Sequence, residues 1–302
     1  MSVFRVFLAL SLLGCASIVA CSSGKPGPTP ASSASAAPPS HSTLQTHAVA
    51  SQAPPPPEGC RTLTATGDVD AALKPGALLK GAKWVELPAG ARIAVRHAAS
   101  SRELSFEGPA RAVICRNGEE QVLLAEGRVS ASAGPGARPG AEVLIATPWG
   151  LVRYGDATIE VRTSGRKTDV TVRGGEAWLE PAKGATLRGG DKLVPGKKAT
   201  LSGPAAVTPE SSVAACAQAA AAARDSAAAL LEPASGAADA GSLGARAAAQ
   251  VRDRRAARYT CAIAAAAIGQ VKDPDRERLG TELERSERLW RAMPRRGETG
   301  PK

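Results

Sequence analysis

TIEVRTSGRKTDVTVRGGEAWL (Thr158–Leu179) is the stretch that decides the fold class. Apolar and polar residues alternate through Thr158-Ile159-Glu160-Val161 and Asp169-Val170-Thr171-Val172. β-Branched side chains dominate, and glycines stand at Gly165 and Gly174-Gly175. A period of two bounded by glycine turns marks half-buried strands. Working outward, the same pattern returns in Arg92–Val95, Glu103–Phe106, Gln121–Leu124 and Glu142–Ile145. Residues 58–203 are therefore expected to form an all-β domain: a sandwich, a barrel or a short β-helical roll. Leu124–Val129, Val172–Ala177 and Leu187–Leu193 share weak internal similarity. Each is expected to be a strand, a glycine turn and a returning strand, because a tight corner needs positive φ.

The run from Val143 to Leu193 resembles the FecR-type periplasmic domain. Ile145-Ala146-Thr147-Pro148-Trp149-Gly150-Leu151-Val152 is similar to that family's V-x-T-P-x-G-x-V entry, and Gly155–Val161 to its G-T-x-F-x-V strand, with Ile159 in place of the aromatic. Thr168–Leu179 and Leu187–Leu193 are similar to the two closing motifs, and Leu104–Ala110 to a G-P-A strand end. The resemblance implies a FecR-like sandwich or roll that binds or relays a signal. Its motifs are glycines and strand residues, which carry no catalysis. FecR regulators also carry a cytoplasmic anti-sigma segment and a membrane span. Neither is read in this sequence, so their transcriptional role is not expected here.

The N-terminus sets the expected compartment. One charge at Arg5 precedes the apolar run Val6–Leu13, and small residues with cysteines follow. This is an export signal. Ile18-Val19-Ala20-Cys21 resembles the lipobox of bacterial lipoproteins, giving a signal peptide over 1–20 and a lipidated Cys21. Leu12-Leu13-Gly14-Cys15 is a second match with a shorter apolar run before it. Ser22 in place of aspartate resembles the sorting rule for the outer membrane, which would leave the protein facing the periplasm. Residues 21–57, rich in Ser, Ala and Pro and closing on Pro54–Pro57, are expected to be a disordered tether, because they bury too little to offset ordering entropy. His41 and His47 fall in this tract without the preorganised geometry of a metal site.

From Thr208 the chain turns alanine-rich. Thr208, Pro209 and Glu210 form a helix start, with helices expected over Val213–Leu231 and Ala245–Ile268 and a third opening at Asp273-Pro274. Leu279, Leu283, Ser286, Trp290 and Met293 lie at helical spacing, with Glu284–Arg288 and Glu287–Arg291 as supporting pairs. A helical hairpin or three-helix module, coiled-coil-like, is expected over 208–295, with a disordered tail over 296–302. Alanine faces bury little area, so such a module would be marginal alone. Four cysteines are left for the folded part. An antiparallel hairpin turning near Ala237 sets Cys216 and Cys261 at nearly the same height, so we expect them to pair; Cys60–Cys115 then follows by elimination.

Composition narrows the function classes. Of 302 residues, 43% are hydrophobic, but 62 are alanine and only 3% are aromatic, which argues against one large aromatic-rich enzyme. The G-x-S-x-G elbow, HExxH and a phosphate-binding loop are absent from the sequence. His97, the one histidine of the folded part, is read as lying on a strand face near the surface. No catalytic residue, metal or cofactor is expected. The net charge is +10. Arg252, Arg254, Arg255 and Arg258 gather on one helix as a candidate site for an anion or an acidic partner; nucleic acid is not expected outside the cytoplasm. The expected function is a non-catalytic envelope lipoprotein, an interaction or sensory module in envelope signalling or assembly. It would dock an envelope protein through exposed β edges and the helical face. The alternative is a structural lipoprotein that binds cell wall or surface polysaccharide.

Overall fold

The computed structural model describes residues 59–81, 83–98, 100–116, 121–134, 142–204, 207–231, 240–272 and 274–292. The signal peptide, Cys21, the tether and the 296–302 tail lie outside the described residues. The strands are β1 (Cys60–Thr66), β2 (Leu78–Leu79), β3 (Val85–Leu87), β4 (Arg92–His97), β5 (Glu103–Val113), β6 (Gln121–Ser132) and β7 (Val143–Thr147). They continue with β8 (Gly150–Tyr154), β9 (Thr158–Ser164), β10 (Lys167–Gly174), β11 (Ala177–Pro181), β12 (Thr186–Arg188), β13 (Lys192–Leu193) and β14 (Lys198–Ser202). Helices α1 (Pro209–Leu231), α2 (Ala240–Ile268) and α3 (Asp275–Arg291) follow. The fold is mainly antiparallel β with a C-terminal three-helix module.

The strands form one continuous sheet that folds over on itself. One layer runs β12-β14-β10-β9-β6-β5-β4-β1-β2, and the other is built from β13, β11, β8, β7, β3 and the remaining halves of β5 and β6. Long strands make this possible. Residues 127–131 of β6 pair with β9, whereas Gln121–Leu123 pair in parallel with β7. The register of β5 against β6 shifts between Glu107 and Arg111, where the pair bends from one layer to the other. Gly127 sits at that bend with φ +106°, and a Cβ there would strike Ala110. The expected turn at Gly127 is therefore a kink inside one strand. The other two glycine corners do turn, but their strands do not return to pair. β10 and β11 lie in different layers, as do β12 and β13. Each corner carries the chain across the sandwich.

Alternation in the first layer is clean because only one face is dry. Ile93, Val95, Phe106, Val129, Ile159, Val161, Val170 and Val172 point inward against Val122, Leu124, Ile145, Val152 and Tyr154 of the second layer. The second layer is covered on both faces. Every residue of β7 is buried: Val143 and Ile145 face the sandwich, Leu144 and Ala146 the helices. His97 ends β4 in phase with Ile93 and Val95. It is therefore buried, with Nδ1 3.1 Å from Ser100 Oγ, and does not lie near the surface as expected.

The helices complete the third layer. Thr208 caps α1: its Oγ1 accepts from the Ser211 amide, while Ser211 Oγ accepts from the Thr208 amide. Cys216 and Cys261 are paired, Cα atoms 4.6 Å apart, and Cys60 is paired with Cys115. From Cys261 to Ile268, α2 is buried on every side, and its alanines let sheet, α1 and α3 approach together. A Cβ on Gly269 would strike Trp84 and Ala125. In α3, Leu279, Leu283, Ser286 and Trp290 are buried as spaced, while Met293 lies outside the described residues. Glu287 pairs with Arg291 at 3.8 Å, but Arg288 reaches the Glu284 backbone carbonyl. The second helix begins at Ala240, five residues before the expected start; alanine propensity carries it through Gly241 and Gly244.

Candidate functional site

Two features of the surface argue against the sheet as a docking site. Layer edges are β2, β3, β12 and β13, each only two or three residues long. A peptide strand gains few backbone bonds on such edges. The outer face of the first layer carries its own counter-charges. Arg92 pairs with Glu107, Glu107 with Arg128, Arg128 with Glu160 and Glu160 with Arg173, at 2.8–3.4 Å. The Arg128 hydrogen bond, helped by Arg173, holds the Glu160 carboxyl below its ordinary range.

The helical side differs. Between residues 241 and 256, only Gln250 is buried. That part of α2 has left the sheet and runs with α1 as an arm roughly 24 Å long. Over 240–258 it bears Arg246, Arg252, Arg254, Arg255 and Arg258 against the lone acid Asp253. Leu243 and Val251 are exposed on it.

At the base of the arm is a furrow of about 440 Å³. Gln250, Val251, Arg254, Arg255, Arg258 and Tyr259 line it from one face of α2, with Trp290 of α3 and Glu142, which precedes β7, opposite. The structure thus brings Arg254, Arg255 and Arg258 to one concavity. Arg252 is not part of that lining; its Nε lies 2.9 Å from Asp253 Oδ1. Arg255 is tied inward, donating to Tyr259 Oη at 2.8 Å, with its guanidinium 5.2 Å from the ring centre. Tyr259 Oη donates to Glu142 Oε2 at 3.1 Å, and Arg153 donates to Glu142 Oε1 at 2.9 Å. Burial raises the Tyr259 phenol above its ordinary value, against the opposing Arg255 hydrogen bond.

A second groove, about 700 Å³, lies on the other side of Tyr259 between α1, α2 and the Pro181–Gly184 turn. Its lining is mainly apolar, including Val207, Ala215, Ala219 and Ile263.

Sequence reading found the arginines but missed Glu142, Arg153 and Tyr259, and placed Trp290 only as a core position. Tyr259 and Glu142 are 117 residues apart, and no local pattern connects them. Among the described residues, no group of three or more His, Cys, Asp or Glu could hold a metal, and no helix is long and apolar enough to cross a membrane.

No protein-family model matches this chain, and no curated protein matches it. Among solved structures it is similar to a candidate anti-sigma factor from Parabacteroides distasonis ATCC 8503, at 13% identity and a TM-score of 0.32. The match covers 39% of this chain and 54% of that one, so the chain spans about half the length of that relative, a likeness too slight to carry function.

Proposed function

We propose that the protein is a non-catalytic, lipid-anchored interaction module of the bacterial envelope, acting in signalling or assembly. Cys21 bears the lipid, residues 22–57 give the folded part reach, and the chain faces the periplasm from the outer membrane. Support for this compartment comes from the export signal, the lipobox-like Ile18–Cys21 and two disulfides suited to an oxidising space. The observation that carries the interaction role is the α1–α2 arm, which leaves the sheet with five arginines against one acid over 240–258. A helical stretch of which only Gln250 is buried between residues 241 and 256, and whose charge is mainly positive, fits docking of an oppositely charged surface.

Two experiments test this reading. Growth with a tagged fatty acid should label the protein, and Cys21→Ala should abolish labelling; an unlabelled mature chain removes the anchor. The full-length oxidised protein in detergent, used as bait, should retain one stoichiometric envelope protein. Retention on cell-wall sacculi with no protein partner would instead make it a wall-binding structural lipoprotein.

A further inference from the structure

The first strand begins beside a groove. β1 and β2 run antiparallel, with Cys60 opposite Leu79 and Arg61 opposite Leu78. Before Cys60 the sequence reads Pro54-Pro55-Pro56-Pro57-Glu58-Gly59. Beyond Glu58 the prolines have no amide hydrogens with which to extend the ladder. A Cβ on Gly59 would stand 3.0 Å from Lys80 Cγ, so the preceding chain sets out from the residues that follow β2. Antiparallel pairing aims it in the direction in which Lys80, Lys83, Trp84 and Val85 continue.

Those residues line a groove of about 560 Å³. Its apolar lining comes from Leu73, Leu78, Leu79, Trp84, Val85 and Ile114. Leu78 is 46% exposed, and Trp84 is half-buried. The indole is held in place: a Cβ on Gly269 would strike its six-membered ring, and the Arg111 guanidinium lies 5.6 Å from the ring centre. Lys80 and Lys83 are exposed beside it.

The chemistry of the groove selects its occupant. An added strand gains little, because β2 offers an edge of two residues. A small anion would leave Leu78 and Trp84 wet. A polyproline segment needs no backbone partner and packs its rings on apolar and aromatic surface at low entropic cost. Four prolines in that conformation span about 12 Å. Joined to the groove mouth through Glu58 and Gly59, they act at an effective concentration of about millimolar, against which a free ligand must compete.

We infer that this groove is the seat of the chain's own Pro54–Pro57, packed on Leu78 and Trp84 with Glu58 beside Lys80. The folded part then leaves its tether at a fixed place and in a fixed direction, and the free reach ends at Ala53. This contact is independent of the docking partner proposed above.

The test uses the full-length oxidised chain in detergent, with 13C-labelled proline and 15N-labelled tryptophan. Trp84→Phe assigns the Trp84 indole signals. Nuclear Overhauser contacts should join proline ring protons to Trp84 and vanish when Pro54, Pro55, Pro56 and Pro57 are all replaced by serine. That replacement should also shift the Trp84 indole 1H–15N resonance while leaving the circular dichroism unchanged. Leu78→Glu, at an exposed position, should erase the same contacts from the other side. A fluorescent peptide with the sequence Ala53–Gly59 should bind the serine variant about tenfold or more tightly than it binds the unaltered protein, whose own prolines compete. An unchanged Trp84 resonance in the serine variant overturns the inference. Equal peptide affinity for both proteins overturns it too, by leaving the groove open to an outside ligand. Trp84–proline contacts that fade on dilution would overturn it by assigning the prolines to a second copy of the chain.

Discussion

Arg116, just beyond β5, and Glu287 of α3 form a buried ion pair that ties the helices to the sheet. Nη2 donates to Oε2 at 2.9 Å, while Nη1 and Oε1 lie 2.8 Å apart without hydrogen-bond alignment. The two side chains are 8% and 9% exposed, and the residues are 171 positions apart. Arg291 approaches the same carboxylate at 3.8 Å. Removing one member leaves the other charge buried with diminished compensation. Arg116→Met or Glu287→Gln should each lower stability by about 3–5 kcal/mol in urea unfolding. Arg116→Met with Glu287→Leu should recover most of that loss. A double variant as unstable as either single one would show that the pair is not what joins these elements.

Gly127 should tolerate substitution worse than Gly165, although both have positive φ. At Gly165 a Cβ would meet open space, so Gly165→Ala should cost about 1–2 kcal/mol for the backbone conformation alone. At Gly127 the Cβ would also collide with Ala110 across the bend, and Gly127→Ala should cost more. Thermal unfolding of the two variants gives the comparison. Equal losses would mean that the bend does not require close approach.

The Cys216–Cys261 bridge closes a 45-residue separation in a hairpin whose distal part is held by little besides alanine contacts. Cys216→Ser with Cys261→Ser should lower stability by about 3–4 kcal/mol. The loss should open the arm first, so limited proteolysis should cut between α1 and α2 before it cuts the sheet. Non-reducing peptide mapping of the unaltered protein should recover Cys216 joined to Cys261; free thiols at both positions would remove the staple.

Acid should weaken the outer ladder through Glu160. Its folded pKa lies below the ordinary carboxyl value of about 4.3, because Arg128 and Arg173 favour the charged form. The contribution is therefore present above the unfolded pKa and is lost as pH falls through the folded one. Glu160→Gln should be less stable than the unaltered protein near neutral pH, and the difference should shrink toward zero in acid. A difference that stays constant with pH would assign the loss to packing.

Much of the fold could be read from local pattern. Ile159, Val161, Val170 and Val172 alternate because their layer has one wet face, and Thr208 caps because a helix start needs an acceptor for its orphan amides. His97 shares its strand phase with the buried Ile93 and Val95, so parity along β4 outweighs the polarity of its side chain. In β7 the run Val143–Ala146 is continuously apolar rather than alternating, the mark of a strand covered on both sides. The arginines on α2 were found as a cluster. Their separation into Arg254 and Arg258 lining the furrow, Arg255 tied to Tyr259 and Arg252 beside Asp253 depends on what each helix face meets.

Most strands, the three helices and the pairing of Cys216 with Cys261 are legible in local pattern, because side-chain period, caps and the length of a hairpin act between near neighbours. Only the tertiary structure decided that the glycine corners cross between layers, that α2 sinks its alanines between sheet and helices, and that Glu142, Arg153, Tyr259 and Trp290 gather at one furrow. Those outcomes depend on which buried face packs against which, a choice made jointly by residues more than a hundred positions apart.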